Sequence, residues 1–138
     1  MKTYDSNQVY LTLANRSIQT GRTEGDFVVT EHTADTITPT VGADGEATVS
    51  RSNNRSATIK IKLLATSDGH RLLEQLYAAQ QLASNGAPIA FELRDILGAR
   101  VEHADACVFV KPPATSHGAT VGEREWSLFT ERLIREVV

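Results

Sequence analysis

Residues 42–64 constrain the fold of this chain more than any other segment, because they join a turn signal, a polar stretch and an alternating strand. Asp44-Gly45 is a dipeptide favoured in two-residue hairpin turns, where the backbone φ angle is positive. From residue 58 onward polar and apolar residues alternate, so one face of a strand carries Ile59, Ile61 and Leu63 and the other carries Thr58, Lys60 and Lys62. The sequence therefore predicts a projecting hairpin whose base lies in the core.

A polar patch accompanies this hairpin, and we call it the arm patch: Asp44, Glu46, Arg51, Asn53, Asn54 and Arg55. A solvated loop with ordinary surface charge would have the same composition. Guanidinium and amide groups are, however, directional donors that favour buried and oriented contacts. We therefore predict that the arm patch contacts another subunit and that the arm, residues 42–56, is an assembly device.

Length and charge exclude several classes of protein. The chain has 138 residues, which fits one domain spanning residues 1–138. Its formal net charge of −3 argues against tight nucleic-acid binding, since such domains usually carry a basic face. An acidic wall beside DNA would instead repel the phosphates and let the polymer slide.

The N-terminus has no apolar run typical of a signal peptide, and no stretch approaches the length of a membrane span. We therefore expect synthesis in the cytoplasm and no membrane partner. Cys107 is the only cysteine, so no intrachain disulfide is expected.

Strands dominate the predicted secondary structure. Short β-branched segments at 9–13, 27–31, 36–41 and 47–50 indicate strands in the first half, with a turn at Asn15-Arg16. Pro39 lacks a backbone donor and therefore suits an edge strand. In the second half, segments 89–94 and 100–110 predict another hairpin and 124–130 a last strand, while 133–138 could be a strand or a helical turn.

One helix is predicted, with Thr66 or Ser67 as its N-cap, an end near Asn85 and Gly86 in the left-handed conformation that closes it. Its predicted apolar stripe, which should pack on the sheet, is Leu72, Leu73, Leu76, Tyr77 and Leu82. The prediction is thus a mainly β fold with one α-helix (α+β): a small antiparallel β-barrel or sandwich with a flanking helix and a long projecting hairpin.

The sequence gives little support for a metal site, a cofactor site or a catalytic site. His103, Asp105 and Cys107 occupy alternate positions of one predicted strand and would share a face. Along a flat strand they span about 13 Å, which is too far for one tetrahedral zinc ion unless a bulge bends the strand. No nucleotide-binding or nucleophile motif occurs, so we expect no metal, no cofactor, no catalytic residue and no enzymatic activity.

Three runs carry a family resemblance: VGADGEATVSRSNNRSATIKIKLLATS (41–67), FELRDILGARVEHADACVFVKPP (91–113) and GEREWSL (122–128). With them the chain, from about residue 10 to residue 130, resembles the tail tube proteins of contractile-tailed bacteriophages and is similar to secretion-system tube proteins. The resemblance implies a virion tail protein that forms hexameric rings, stacked into a channel for DNA passage. Its implied partners are other copies of itself, the sheath and other tail proteins.

The resemblance also implies roles for residues. Arg51, Asn54 and Arg55 would contact the ring above or below, and the channel would be lined by polar side chains, with Glu31, Asp44 or Glu46 as candidates. Two alternatives stay open at this point: a monomeric β-barrel module that binds a ligand or peptide through the arm, and the tube subunit of a bacterial contractile injection or secretion system.

Overall fold

Two antiparallel β-sheets and one α-helix make up the described residues, 1–83 and 86–138, of the computed structural model. The strands are β1 (Val9–Leu13), β2 (Arg16–Ser17), β3 (Val28–His32), β4 (Ile37–Val41), β5 (Ala47–Arg51), β6 (Ala57–Leu64), β7 (Ile89–Asp95), β8 (Arg100–Lys111), β9 (Glu123–Thr130) and β10 (Ile134–Val137). The helix, α1, spans Asp68–Leu82. The predicted mainly β fold with one α-helix is confirmed.

The large sheet has the order β2-β1-β7-β8-β9-β6-β3, and β10 pairs with β8 beside this path. Within the described ranges β2 and β3 do not pair with each other, so the sheet is open and no closed barrel forms. The predicted hairpin at 89–110 is β7–β8, and the tail left open by the sequence forms β10. The strands β4 and β5 form a separate two-stranded sheet.

A hydrophobic core lies on the inner face of the large sheet and beneath the helix. The alternation predicted for β6 is confirmed, because Ile59, Ile61 and Leu63 are fully buried while Lys60 is exposed. The other main contributors come from several strands and the helix: Leu11, Leu13, Leu73, Phe91, Phe109, Trp126 and Leu128. The sheet therefore curves around one shared core.

Helix α1 begins as predicted, since the Ser67 side chain accepts a hydrogen bond from the His70 backbone N–H at 3.1 Å. The helix ends at Leu82, three residues before the predicted end at Asn85, which lies outside the described residues. Gly86 has the expected positive φ of 76°, but it lies four residues after Leu82 and so does not directly follow the last helical residue. Leu82 is 89% exposed, so its place in the predicted apolar stripe was wrong.

Two polar side chains of α1 take the inward positions instead. His70 is buried, and its Nδ1 accepts a hydrogen bond of 3.0 Å from the Trp126 indole N–H. Its Nε2 lies 2.9 Å from the Glu74 carboxylate. Hydrogen bonds to the sheet therefore help to determine which face of the helix is buried, and a pattern of apolar residues does not predict such bonds.

Gln80 joins the helix to the sheet where β7 begins. Its side-chain N–H donates to the carbonyl oxygens of Ala87 and Cys107 at 3.3 and 3.4 Å, and its carbonyl accepts from the Phe109 N–H at 2.8 Å. The last β7–β8 pair on this side is Ile89 with Cys107. The Gln80 amide thus satisfies backbone groups of β8 beyond the end of its neighbouring strand.

A bulge in β8 overturns the expectation that His103, Asp105 and Cys107 share a face. The pairing with β7 shifts register between Ala104 and Cys107, so these two residues are both buried although they are three positions apart. Asp105 is exposed, and His103 faces Glu136 at 3.8 Å. Burial raises the pKa of the Cys107 thiol to about 11. The bulge therefore places the buried Cys107 on a different face from His103 and Asp105.

The first turn differs by one residue from its prediction. Leu13 pairs with Arg16, so Ala14 and Asn15 form the turn, both with positive φ. Positive φ at both central residues is the geometry of a two-residue hairpin turn, and asparagine tolerates it well.

Candidate assembly interface

The hairpin formed by β4 and β5 is the most unusual feature of the surface. All ten of its strand residues are exposed. A two-stranded hairpin without a packing partner is marginally stable in water. Its exposed valines and isoleucine therefore indicate a surface that another molecule covers.

The tip of this hairpin is a longer turn than the sequence predicted. The Gly42 N–H donates to the Glu46 carbonyl at 2.8 Å, and the Gly45 N–H donates to the Gly42 carbonyl at 2.9 Å. Gly45 has a φ of 86°, whereas Asp44 is not among the residues with positive φ. The connection is therefore a turn over residues 42–45 whose last residue, Gly45, is left-handed, instead of a two-residue turn on Asp44-Gly45.

The register divides the hairpin into two chemically different faces. Directly paired residues place their side chains on the same side of an antiparallel sheet, and Pro39 pairs with Val49. One side, which we call the apolar face, carries Ile37, Pro39, Val41, Ala47 and Val49, with Arg51 at the base. The opposite side carries Thr38, Thr40, Thr48 and Ser50. The sequence alternation contained this signal, but reasoning from the polar residues alone missed it.

The two outer edges of the hairpin also differ. Gly42 pairs through hydrogen bonds with Glu46, and Ser52 N–H donates to the Thr36 carbonyl. Between these two bonded pairs, hydrogen-bonded and non-hydrogen-bonded pairs alternate along the hairpin. The backbone N–H and C=O groups of positions 37, 39 and 41 therefore point away from β5, to the outer edge of β4. Pro39 has no N–H to offer there, which confirms its predicted place on an edge strand.

The arm patch does not lie together on this hairpin, contrary to its predicted placement on one projecting arm. Asp44 and Glu46 lie in the turn, while Arg51 is the last residue of β5, at the base. Residues 53–55 belong to the connection into β6, because that segment is tied to the body: the Leu133 N–H donates to the Arg55 carbonyl at 3.0 Å.

Two members of the arm patch form hydrogen bonds within this connection. The Asn54 side chain accepts hydrogen bonds from the Ser56 N–H and hydroxyl at 2.9 and 2.6 Å. The Arg55 guanidinium donates to the carbonyls of Ser52 and Asn54 at 2.9 and 3.3 Å. Short polar side chains that bond to nearby backbone shape loops, which explains the amide-rich composition locally. Their contact with another subunit stays a prediction.

The outer face of the large sheet has a second exposed apolar surface. Val108 of β8 pairs directly with Phe129 of β9, and both side chains point away from the core, with Val110 exposed beside them. We call these three residues the outer patch. Towards β3 the same face is charged, with Glu31, Lys60, Lys62 and Glu125, and both lysines lie within 4.0 Å of Glu125.

No cluster of three or more metal-ligating side chains occurs among residues 1–83 and 86–138. A cleft of about 520 Å³ opens between β3 and the paired strands β8 and β10, with walls that include Phe27, Val101 and Val137. In the same described ranges, no helix is both long and apolar enough to cross a membrane.

A known protein family matches this chain over residues 7–135, and its description is "Bacteriophage PhiTE tail tube protein". The chain belongs to this tail tube family. Membership confirms the resemblance noted from the sequence, and it implies a place in the virion tail. The tail tube family is structural, so the expectation that the chain is not an enzyme is also confirmed. None of the curated proteins compared matches the sequence of this tail tube protein.

Solved structures share the fold of this tail tube protein at low sequence identity. A chain of the sheath-tube complex of an extracellular contractile injection system, PVC, in the extended state has 12% identity and a TM-score of 0.63, covering 99% of this chain and 93% of that one. The tube-terminating cap of the anti-feeding prophage, AFP, has 8% identity and a TM-score of 0.59, covering 100% and 93%. The PVC sheath/tube terminator has 10% identity and a TM-score of 0.59, covering 99% and 98%.

Proposed function

We propose that this chain, as one tail-tube-like domain over residues 1–138, is the structural subunit of a phage tail tube. Copies assemble into hexameric rings that stack around a channel for DNA, with the sheath and other tail proteins on the outside. The ring number rests on the resemblance to tube proteins. The observation that carries the proposal is the β4–β5 hairpin, whose strands are exposed throughout in a chain of the tail tube family.

Exposed strand edges support assembly on physical grounds. An unpaired edge with exposed apolar side chains promotes uncontrolled association unless a specific partner covers it. A ring and a stack of rings both use heterologous contacts, in which one surface of a copy meets a different surface of the next. A projecting hairpin on one part of the chain and a separate apolar patch elsewhere suit that geometry.

For the channel wall we propose the charged half of the outer sheet face, including Glu31. That half carries Glu31, Glu125, Lys60 and Lys62, whose charges balance, so it offers DNA phosphates no net attraction and avoids retention. Asp44 and Glu46 lie at the hairpin turn, so we assign them to subunit contacts. Tubes carrying Glu31→Lys should retain DNA at low salt, unlike wild-type tubes; equal retention would contradict this wall assignment.

The direct test of function is the assembly state of the purified wild-type protein. Electron microscopy should show hollow tubes, and light scattering should show species far larger than a monomer. A stable monomer at high concentration would contradict the proposal and favour the monomeric binding module. A tube subunit of a bacterial contractile injection system is the second candidate, favoured by the fold likeness to chains of the PVC and AFP assemblies. The genes that lie next to the one encoding this chain would distinguish such a system from a phage tail.

The arm patch has its own test. Arg51→Ala combined with Arg55→Ala should leave the monomer folded but prevent long tubes. Because the Arg55 guanidinium supports its own loop, Arg51→Ala alone separates a lost contact from a disturbed connection. Undiminished tubes from the double variant would refute the role of these arginines.

A further inference from the structure

We propose that the apolar face of the β4–β5 hairpin of one copy docks on the outer patch of a second copy, formed by Val108, Val110 and Phe129. This assignment rests on the proposed self-assembly and adds the identity of the two surfaces that meet. It follows from three independent properties of the described residues: apolar exposure, charge and local shape.

Apolar exposure provides the first argument. Val41 and Val49 on the hairpin are 66% and 55% exposed, and Val110 on the outer patch is 58% exposed. Both surfaces are formed by paired strands, and on the outer patch Val110 lies where the pairing of β8 with β9 shifts register between Phe109 and Lys111. Removal of both surfaces from water in one contact is favourable, and packing one sheet surface on another is a common arrangement.

Charge provides the second argument. The hairpin turn carries Asp44 and Glu46, and in the described part of the chain neither forms an ion pair. The outer patch is flanked by Lys111, which pairs with Ser127 in the strand ladder, and by Arg132. Neither of these cations has an ion-pair partner among the same described residues. The exposed Glu131 lies beside Arg132, so with Lys111 the rim carries a net positive charge and complements the acidic tip.

Local shape provides the third argument. Phe129, Glu131 and Arg132 line a shallow depression together with residues 53–56, the connection that carries Asn53, Asn54 and Arg55. The arm patch thus divides between two surfaces: Asp44 and Glu46 on the hairpin that enters, and the amide-rich connection on the surface that receives it. Asn53 is exposed and provides a directional donor at the rim of that depression.

Matched single variants test the two surfaces. Val49→Asp should abolish tubes, whereas Thr48→Asp, on the opposite face of the same strand, should not. Val108→Asp should also abolish tubes, whereas Val29→Asp should not, although Val108 and Val29 are 37% and 38% exposed. Circular dichroism of all four monomers should match the wild type. Normal tubes from either Val49→Asp or Val108→Asp would overturn the proposal.

A mixing experiment tests whether these two surfaces meet each other. Val49→Asp keeps an intact outer patch and Val108→Asp keeps an intact hairpin, so a 1:1 mixture should form complexes larger than either variant alone, as measured by light scattering. Absence of mixed complexes would overturn the proposal. Charge exchange gives a second readout: Asp44→Lys with Glu46→Lys should block assembly, and addition of Lys111→Glu with Arg132→Glu should restore it. Failure of that restoration would also overturn it.

Failure of this inference is distinguishable from failure of the proposed function. If the wild-type protein forms no tubes, the proposed function is wrong. If the wild type forms tubes and Val49→Asp does so equally, the tube function stands and the docking assignment is wrong.

Discussion

Gln80 supports the sharpest test of the fold, because its side chain bonds to three backbone groups beside the start of β7. In Gln80→Leu the size of the side chain is nearly kept but all three hydrogen bonds are lost. The Phe109 N–H, bonded at 2.8 Å in the wild type, is then buried without a partner. An unsatisfied buried donor costs about 1–3 kcal/mol.

The two carbonyl groups add less to this loss. Their hydrogen bonds are longer, at 3.3 and 3.4 Å, and a carbonyl oxygen tolerates a missing partner better than an N–H does. We therefore expect the free energy of unfolding to fall by about 2 kcal/mol. With a urea m-value of about 2 kcal/mol/M, the unfolding midpoint should fall by about 1 M.

Urea titrations of the monomer at low concentration measure this shift, and hydrogen exchange of the Phe109 amide locates it. Gln81→Leu is the matched control, since Gln81 is the exposed neighbour on the same helix. Gln80→Glu keeps the acceptor for Phe109 but turns a carboxylate oxygen towards the carbonyls, so it should also destabilise the fold. If Gln80→Leu unfolds at the wild-type midpoint with its Phe109 amide still protected, the account of this junction is wrong.

Three further predictions concern the body of the protein. Gly21→Ala should destabilise the fold by about 3 kcal/mol in thermal unfolding, because Gly21 has a φ of 77° and an added Cβ would lie 2.0 Å from the Ser67 Cβ. Gly25→Ala is the control and should change little, since nothing lies within 4 Å of its added Cβ; similar effects at both sites would contradict the close approach at Gly21. Burial raises the pKa of the Cys107 thiol from 9.0 to about 11, so the unfolded chain releases this proton at lower pH and the free energy of unfolding should fall as the pH rises between those values. Cys107→Ala should lack this part of the decrease, and parallel curves of unfolding free energy against pH for the two proteins would refute the prediction. Trp126→Phe leaves His70 Nδ1 buried without its donor and should lower the free energy of unfolding by about 1–3 kcal/mol, while an unchanged denaturation midpoint would show that the hydrogen bond between them contributes nothing.

Periodic patterns in the sequence predicted the parts of the fold that burial alone determines. The alternation around Ile59 placed β6 correctly, and the cap at Ser67 placed the start of the helix. The wrong parts have a common physical origin. Leu82 was assigned to the buried stripe and is exposed, while His70 and Gln80 are buried, because their partners come from strands distant in sequence.

The interface was predicted less completely than the fold. The sequence drew attention to the arm patch through its charge and amides, yet Asn54 and Arg55 bond within their own connection. The apolar face of the hairpin was missed, because its two halves come from different strands and only the register shows that Pro39 and Val49 lie on one side. A bulge in β8 likewise cannot be seen from the spacing of His103 and Cys107.

The position of Pro39 makes the hairpin a one-sided connector. Since the outer rim of β4 lacks a donor at its midpoint, a further strand can extend the hydrogen-bonded ladder fully only along β5. Two identical hairpins that paired through their β4 edges would lack a backbone hydrogen bond at each Pro39. If copies assemble through the edge of this hairpin, the single imino acid therefore favours addition along β5 and gives the connection a direction.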